Sequence, residues 1–203
     1  LLKETIKNLR STGTYDLVID IQGLLKSSIV ARLLGKNTHG FDKDSTRESI
    51  ASFFYAKTSH IAYTENIIRR NCFVVADSLG FNISDSMLLN KKKVFPNLLP
   101  YKHQNNGKKN IVFVIGASWE SKRYPKEKVI QLCNTLKENC LIVWGNEQEK
   151  SDAQWICNNS PFAIIAPKLT LTELVSYIDS ADLTIGNDTG PTHMAWAQNT
   201  PSI

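Results

Sequence analysis

The second half of the chain alternates short aliphatic runs with amphipathic stretches of helical period, and few folds accept that pattern. The spacing predicts strands at 110 to 115, 141 to 144, 162 to 165 and 183 to 186, interleaved with helices at 125 to 138, 147 to 158, 171 to 179 and 191 to 198. Strands alternating with helices imply a parallel sheet covered by helices and joined by right-handed crossovers. Runs such as Ile111-Val112-Phe113-Val114-Ile115 lack polar alternation, as expected of strands buried on both faces. In such sheets ligands bind beyond the carboxyl ends of the strands, so the residues just after 115, 144 and 186 are those to inspect for chemistry.

The first half carries the same signals less regularly. Leu1, Leu2, Ile6 and Leu9 recur at helical spacing up to the Ser11-Thr12-Gly13 loop. A strand is expected within 16 to 21, with Asp20 at its carboxyl end, followed by a helix through Lys26, Ile29, Val30 and Leu33 that Gly35 closes. Ser45-Thr46-Arg47-Glu48 reads as the N-cap of another helix. A long helix follows from 64 to 79, with Gly80 as its C-cap. Residues 82 to 109 lose periodicity and read as a connection with at most one strand, which divides the chain into 1–106, a first domain plus linker, and 107–203, a second domain.

Composition narrows the class. The 203 residues carry 24 Lys+Arg against 19 Asp+Glu, a net charge of +5, with 42% hydrophobic residues. That is a globular composition with enough apolar side chains for a core, which argues against disorder. The longest apolar runs fall far short of the roughly 20 residues of a membrane-spanning helix. Cys72, Cys133, Cys140 and Cys157 form no C-x-x-C pair, so zinc and thioredoxin-type chemistry have no support and reduced thiols are expected. G-x-G-x-x-G, the P-loop, H-E-x-x-H and G-x-S-x-G are all absent from the sequence. No metal ligand set emerges.

Three loops at the expected sheet edge carry chemistry. Gly186-Asn187-Asp188-Thr189-Gly190-Pro191-Thr192-His193 joins a strand to a helix. The free N–H groups of that first turn, the Thr189 hydroxyl and close approach at Gly190 suit an anion, with His193 nearby and Pro191 at N1. Taken alone, Asp188 or Thr189 would be an ordinary N-cap. Gly116-Ala117-Ser118-Trp119-Glu120-Ser121-Lys122-Arg123-Tyr124-Pro125 offers Ser118 and the cation of Lys122, although Lys-Arg alone would be a solvated loop. In Trp144-Gly145-Asn146-Glu147-Gln148-Glu149 a carboxylate is placed for ribose hydroxyls, or for favouring a helix start. Together the loops suggest a nucleoside diphosphate. In the first half Lys26, Arg47, Arg69 and Arg70 would grip an anionic group if they converge, and would otherwise be solvated helix faces. Trp119, Trp144, Trp155 and Trp196 lack the basic interleaving of a nucleic-acid binder, so no nucleic acid is expected.

These motifs, with Asp20-Ile21-Gln22-Gly23-Leu24-Leu25-Lys26-Ser27, resemble the lipopolysaccharide heptosyltransferases of glycosyltransferase family 9 over nearly the whole chain and in the same order. The stretches from Gly40-Phe41-Asp42 to Arg47-Glu48 and at Phe54-Tyr55 look most like type I members. The resemblance implies an α/β fold of GT-B type, two Rossmann-like domains with parallel sheets facing across a cleft, both incomplete here. It implies metal-free, cofactor-free, inverting transfer of L-glycero-D-manno-heptose from ADP-heptose to the Kdo of Kdo2-lipid A. The expected setting is cytoplasmic and peripheral, at the anionic inner-membrane surface. It places Ser118, Lys122, Glu149, Asp188, Thr189, Gly190 and His193 on the donor, with Lys122 also catalytic by offsetting leaving-group charge. Arg47, Arg70 and, more weakly, Lys26 fall on the acceptor. The family's general base is an Asp in an early Gly-rich loop with no counterpart here, so the chain reads as an internal stretch of a longer protein, inactive by itself. Tyr124 stands where many members have Trp.

Two rival expectations remain. A type II or III heptosyltransferase, or another GT-B sugar transferase, would share the donor loops and differ around Arg47-Glu48. A non-catalytic nucleotide or polyanion binder would instead lose affinity steeply with salt and ignore the base.

Overall fold

The structure, a computed structural model, describes residues 2–203. Leu1 and the side chain of Leu2, both counted in the first apolar stripe, lie outside the described residues. The chain divides into two units, Leu1–Lys91 and Lys92–Ile203. No helix among the described residues is long and apolar enough to cross a membrane.

In the first unit, β1 (Val18–Ile19), β2 (Thr38–Phe41) and β3 (Lys57–Ser59) form a parallel sheet in that order. Around it lie α1 (Leu2–Ser11), α2 (Leu25–Leu34), a 3₁₀ turn (Ser49–Phe54), α3 (Ile67–Leu79) and α4 (Asp85–Leu89). The expected stop at Gly80 is present, since its φ of 75° is left-handed and its N–H reaches the Ala76 and Asp77 carbonyls. Asn66 caps the other end by accepting the Ile68 N–H.

The helix expected to start at Ser45-Thr46 is instead a 3₁₀ turn beginning at Ser49, because both hydroxyls are committed elsewhere. Ser45 Oγ accepts the Ile61 N–H at 2.8 Å and Thr46 Oγ1 donates to the Gly23 carbonyl at 2.5 Å, so neither caps a helix. β3 was not expected, since Lys-Thr-Ser presents no apolar run. Residues 82 to 109 hold no strand, and the short α4 appears there, capped by Ser84.

β1 ends early because Asp20 turns the chain. Its buried carboxylate accepts the N–H of Gln22 (2.8 Å) and Gly23 (3.4 Å) and the hydroxyls of Ser27 (2.7 Å) and Tyr55 (2.6 Å). Burial and the Asp20 contact push the Tyr55 phenol well above its ordinary value, so it remains a donor. The Tyr55 ring lies on Gly40, where an added Cβ would come within 2.5 Å of it.

In the second unit, β4 (Asn110–Val114), β5 (Asn139–Val143), β6 (Ala163–Ile165) and β7 (Leu183–Gly186) form a parallel sheet of order β6-β5-β4-β7. The covering helices are α5 (Lys126–Leu136), α6 (Glu147–Asn159), α7 (Leu171–Asp179) and α8 (Gly190–Ala197). Alternate β4 residues enter two cores, Ile111 and Phe113 packing with Cys133, Cys140 and Ile156, and Val112 and Val114 with Leu141, Tyr177 and Ala195. Two-sided burial is why these strands read as unbroken aliphatic runs. All four cysteines are free thiols, Cys133 and Cys140 buried and Cys72 and Cys157 half-buried. Burial pushes the Cys157 thiol up to about 11.

Residues 92 to 106, read in the sequence as linker attached to the first domain, pack with the second unit. The side-chain amide of Gln198, 1% exposed, bonds both ways with the Phe95 backbone, and the Tyr101 N–H reaches Ser180 Oγ at 2.9 Å. His103 donates to the Tyr177 carbonyl at 2.8 Å and stands edge-on to the Tyr177 ring.

Two stability outcomes follow. Tyr55→Phe leaves a buried carboxylate one donor short and is expected to cost about 1–3 kcal/mol in a urea titration; Gly40→Ala, which displaces the whole ring, should cost at least as much. Burial holds His103 below the ordinary 6.5, so on acidification the unfolded chain takes up the proton first. Its contribution is complete above that value and falls away as the pH drops below it. Wild type should therefore lose more thermal stability than His103→Gln between about pH 7.5 and about pH 5.

Candidate active site

From β4 the chain winds outward through β5 to β6, then returns to β7 on the other side of β4. That reversal opens a crevice at the carboxyl edge between β4 and β7. A cavity of about 240 Å³ occupies this edge, lined by Gly116, Ala117 and Ser118 after β4, by Trp144, Gly145 and Glu149 after β5, and by Thr189 and Pro191 after β7. Val114, Val143 and Leu174 supply its apolar floor. Of the expected donor residues, Ser118, Glu149 and Thr189 meet here.

Glu149 sits in the first turn of α6, where Asn146 caps the helix and accepts the Glu149 N–H at 2.9 Å. Its carboxylate folds back to accept the Gly145 N–H at 2.7 Å and lies so close to Gly116 that an added Cβ there would meet Oε1 at 2.5 Å. The Trp144 indole is fixed by its bond to the Ala166 carbonyl at 2.8 Å. One wall of the cavity is thus a held carboxylate beside an immobilised aromatic ring.

The opposite wall is the start of α8. Thr189 is the N-cap of α8, yet its side chain caps nothing, and Oγ1 is buried with no hydrogen-bond partner. A buried hydroxyl without a partner is costly, and this one belongs to a residue that lines the cavity. Gly190 opens α8 and Pro191 takes the second position rather than the expected N1, leaving first-turn N–H groups without helical acceptors.

Lys122, in a 3₁₀ turn (Glu120–Lys122), reaches Asp188 Oδ2 at 2.6 Å, and His193 Nε2 lies 3.2 Å from Oδ1. The hydrogen bond and charge of Lys122, with a smaller contribution from His193, hold the Asp188 carboxyl below its ordinary value. All three are exposed and flank the cavity through Asp188, next in the chain to Thr189. An exposed pair of this kind adds little stability, and its lysine is free to change partners.

Asn187 was quoted in the sequence motif and given no role. It is 8% exposed, and its side chain spans the ends of β4 and the Lys122 loop: Nδ2 donates to the carbonyls of Ile115 (2.9 Å) and Gly116 (3.2 Å), and Oδ1 accepts the Tyr124 N–H at 3.0 Å. An Asn in a polar turn looks like any turn former, so only its place directly at a strand end could have signalled this.

In the first unit, the loops after β1 and β2 are stitched together by Thr46 with Gly23 and by the Glu48 carboxylate accepting the Leu25 N–H at 2.7 Å. Lys26 and Arg47 sit on those segments with exposed side chains. Arg70 is placed differently. It is 6% exposed, donates to the Ser45 carbonyl, and lies over the rings of Tyr63 (4.4 Å) and Phe41 (4.9 Å). Arg69 pairs with Glu65 and Asp85. Ligand atoms of Asp42, Asp44 and His60 come within 4.8 Å of one another, with Asp42 Oδ2 already accepting from His60 Nδ1 at 2.7 Å.

Gly116→Ala would drive the Glu149 carboxylate from its seat while leaving β4 paired. For the nucleoside diphosphate that the loop sequences lead one to expect, the expected outcome is about tenfold weaker binding by calorimetry, equal to about 1.4 kcal/mol, with a small change in melting temperature.

The profile of glycosyltransferase family 9 (heptosyltransferase) matches residues 3–203. Lipopolysaccharide heptosyltransferase 1 of Campylobacter coli is 39% identical, over 99% of this chain and 65% of that protein. Among solved structures, E. coli heptosyltransferase WaaC with ADP matches at a TM-score of 0.75 and 25% identity, over 98% of this chain and 64% of that one. The same enzyme with ADP-2-deoxy-2-fluoro heptose matches at the same TM-score and identity, over 98% of this chain and 65% of that one. The chain thus spans just under two thirds of the length of these relatives. With its two parallel α/β units, each a portion of a GT-B fold, the chain belongs to glycosyltransferase family 9, the heptosyltransferases.

Proposed function

We propose that the protein to which this chain belongs is an inverting heptosyltransferase of the lipopolysaccharide inner core, moving L-glycero-D-manno-heptose from ADP-heptose to the Kdo of Kdo2-lipid A. The observation that carries the donor assignment is the pairing, in one cavity, of an unpartnered buried hydroxyl at a helix start with a fixed carboxylate on the opposite wall. The ADP of the WaaC structure and the C. coli relative's name support the same reading.

On this reading Glu149 takes the ribose hydroxyls, while Ser118, Thr189 and the N–H groups opened by Gly190 take the diphosphate. Lys122 exchanges Asp188 for a phosphate oxygen and offsets the negative charge that grows as the glycosidic bond to the diphosphate breaks. Asp188 and His193 are then left facing the donor sugar. No metal is required, because Lys122 and the α8 dipole supply the positive charge. None of the described residues is assigned to remove the acceptor proton. Arg47 and Lys26 are free to meet the anionic acceptor. Arg70 acts on it through the Ser45 loop that it anchors. The enzyme works at the cytoplasmic face of the inner membrane, where each exposed Lys or Arg near anionic lipid contributes about 1 kcal/mol.

Calorimetric titration of ADP, with GDP and UDP as controls, tests the donor assignment. The chain should prefer ADP, and Lys122→Ala should weaken ADP binding about tenfold or more, the size of a lost charge-assisted bond. Equal binding of all three nucleotides, falling steeply with salt, would instead favour a polyanion binder.

A further inference from the structure

We propose that Asn187 is a positioning residue for the diphosphate: its amide sets the spacing between the Lys122 loop and the start of α8 without touching the nucleotide. This rests on the reading of the cavity as an ADP site. Asn187 does not line that cavity. Its side chain uses both kinds of hydrogen-bonding group, since the two carbonyls of Ile115 and Gly116 can only accept and the Tyr124 N–H can only donate. The partners therefore dictate which way the amide faces.

The main chain of Asn187 is tied as well. Its N–H points to the Val114 carbonyl at 3.3 Å, and its carbonyl accepts the Thr192 hydroxyl at 2.7 Å. One residue thus links the end of β4, the loop that carries Lys122, and the first turn of α8. The junction has no slack, because a Cβ on Gly186 would lie 2.6 Å from Thr192 Oγ1 and 2.7 Å from Val114 Cβ. Asp would lack the donors at this position, and Leu would lack every bond.

Tyr124 follows Lys122 by two residues, and Thr189 follows Asn187 by two, so the amide fixes the two anion-binding groups relative to each other. The Trp144, Gly145 and Glu149 wall holds together by its own bonds to Ala166 and within the start of α6, and meets the Asn187 partners only where Glu149 lies against Gly116. Loosening Asn187 should therefore disturb phosphate binding and largely spare the nucleoside.

ADP binding by calorimetry and adenosine binding by tryptophan fluorescence are to be compared for the chain, Asn187→Ala, Lys122→Ala and the double variant. Asn187→Ala is expected to weaken ADP about tenfold and adenosine by less than about twofold, and its effect on ADP should shrink once Lys122 is gone. Equal weakening of both ligands, or a lowered melting temperature with the ADP-to-adenosine ratio unchanged, would overturn the proposal. A wild-type chain that does not prefer ADP to GDP and UDP would overturn the nucleotide reading and this inference together. Should Asn187→Ala fail to fold by circular dichroism, Asn187→Ser, whose hydroxyl still donates and accepts, takes its place in the same comparison.

Discussion

Parallel pairing of β4 with both β5 and β7 is the constraint on which the second unit depends. Val114 is level with Val143 on one side and with Gly186 on the other, so three strands end at the same height. The loops beginning at Gly116, Trp144 and Asn187 therefore leave the sheet side by side, and residues far apart in the chain meet around one small cavity. A slip of one residue in either ladder would turn the β4 side chains into the wrong core and carry its loop out of reach. The two aliphatic cores that flank β4 hold that register, which is how apolar packing comes to position polar chemistry.

Polar order inside the first unit plays a comparable part with different means. Its sheet has three short strands, and what fixes their carboxyl ends is a buried carboxylate satisfied from four sides together with hydroxyls that reach across loops. Such a network is specific because each member, if unmatched, is expensive. It shapes the segments that carry Lys26 and Arg47 and leaves both cations exposed. Arg70 takes the opposite course, spending its charge on a backbone carbonyl and two aromatic faces.

Much of the second unit was legible in the sequence because local and long-range signals agree there. The helix expected at 171 to 179 and the strand at 183 to 186 are observed with those bounds, the former because Thr170 and Glu173 cap each other as well as following the apolar period. Ser45 and Thr46 misled because a hydroxyl that caps and a hydroxyl that bonds a distant loop look the same in one dimension. β3 was illegible for want of apolar residues, and the attachment of residues 92 to 106 depends on partners such as Tyr177 and Gln198 far along the chain. At the site, the residue types could be read from their order after each strand. The ion pair of Lys122 with Asp188, the burial of Arg70 and the bridging by Asn187 could not, since each arises only when distant segments meet.

The central claim is that these loops form one nucleotide site at the carboxyl edge of the second sheet. Mapping ADP onto the chain by backbone amide chemical shifts tests it most directly. The expected result is a single saturable set of shifts covering Gly116 to Ser118, Gly145 to Glu149 and Thr189 to His193, with the first unit unmoved. Shifts centred elsewhere, or spread over exposed lysines and abolished by moderate salt, would contradict it.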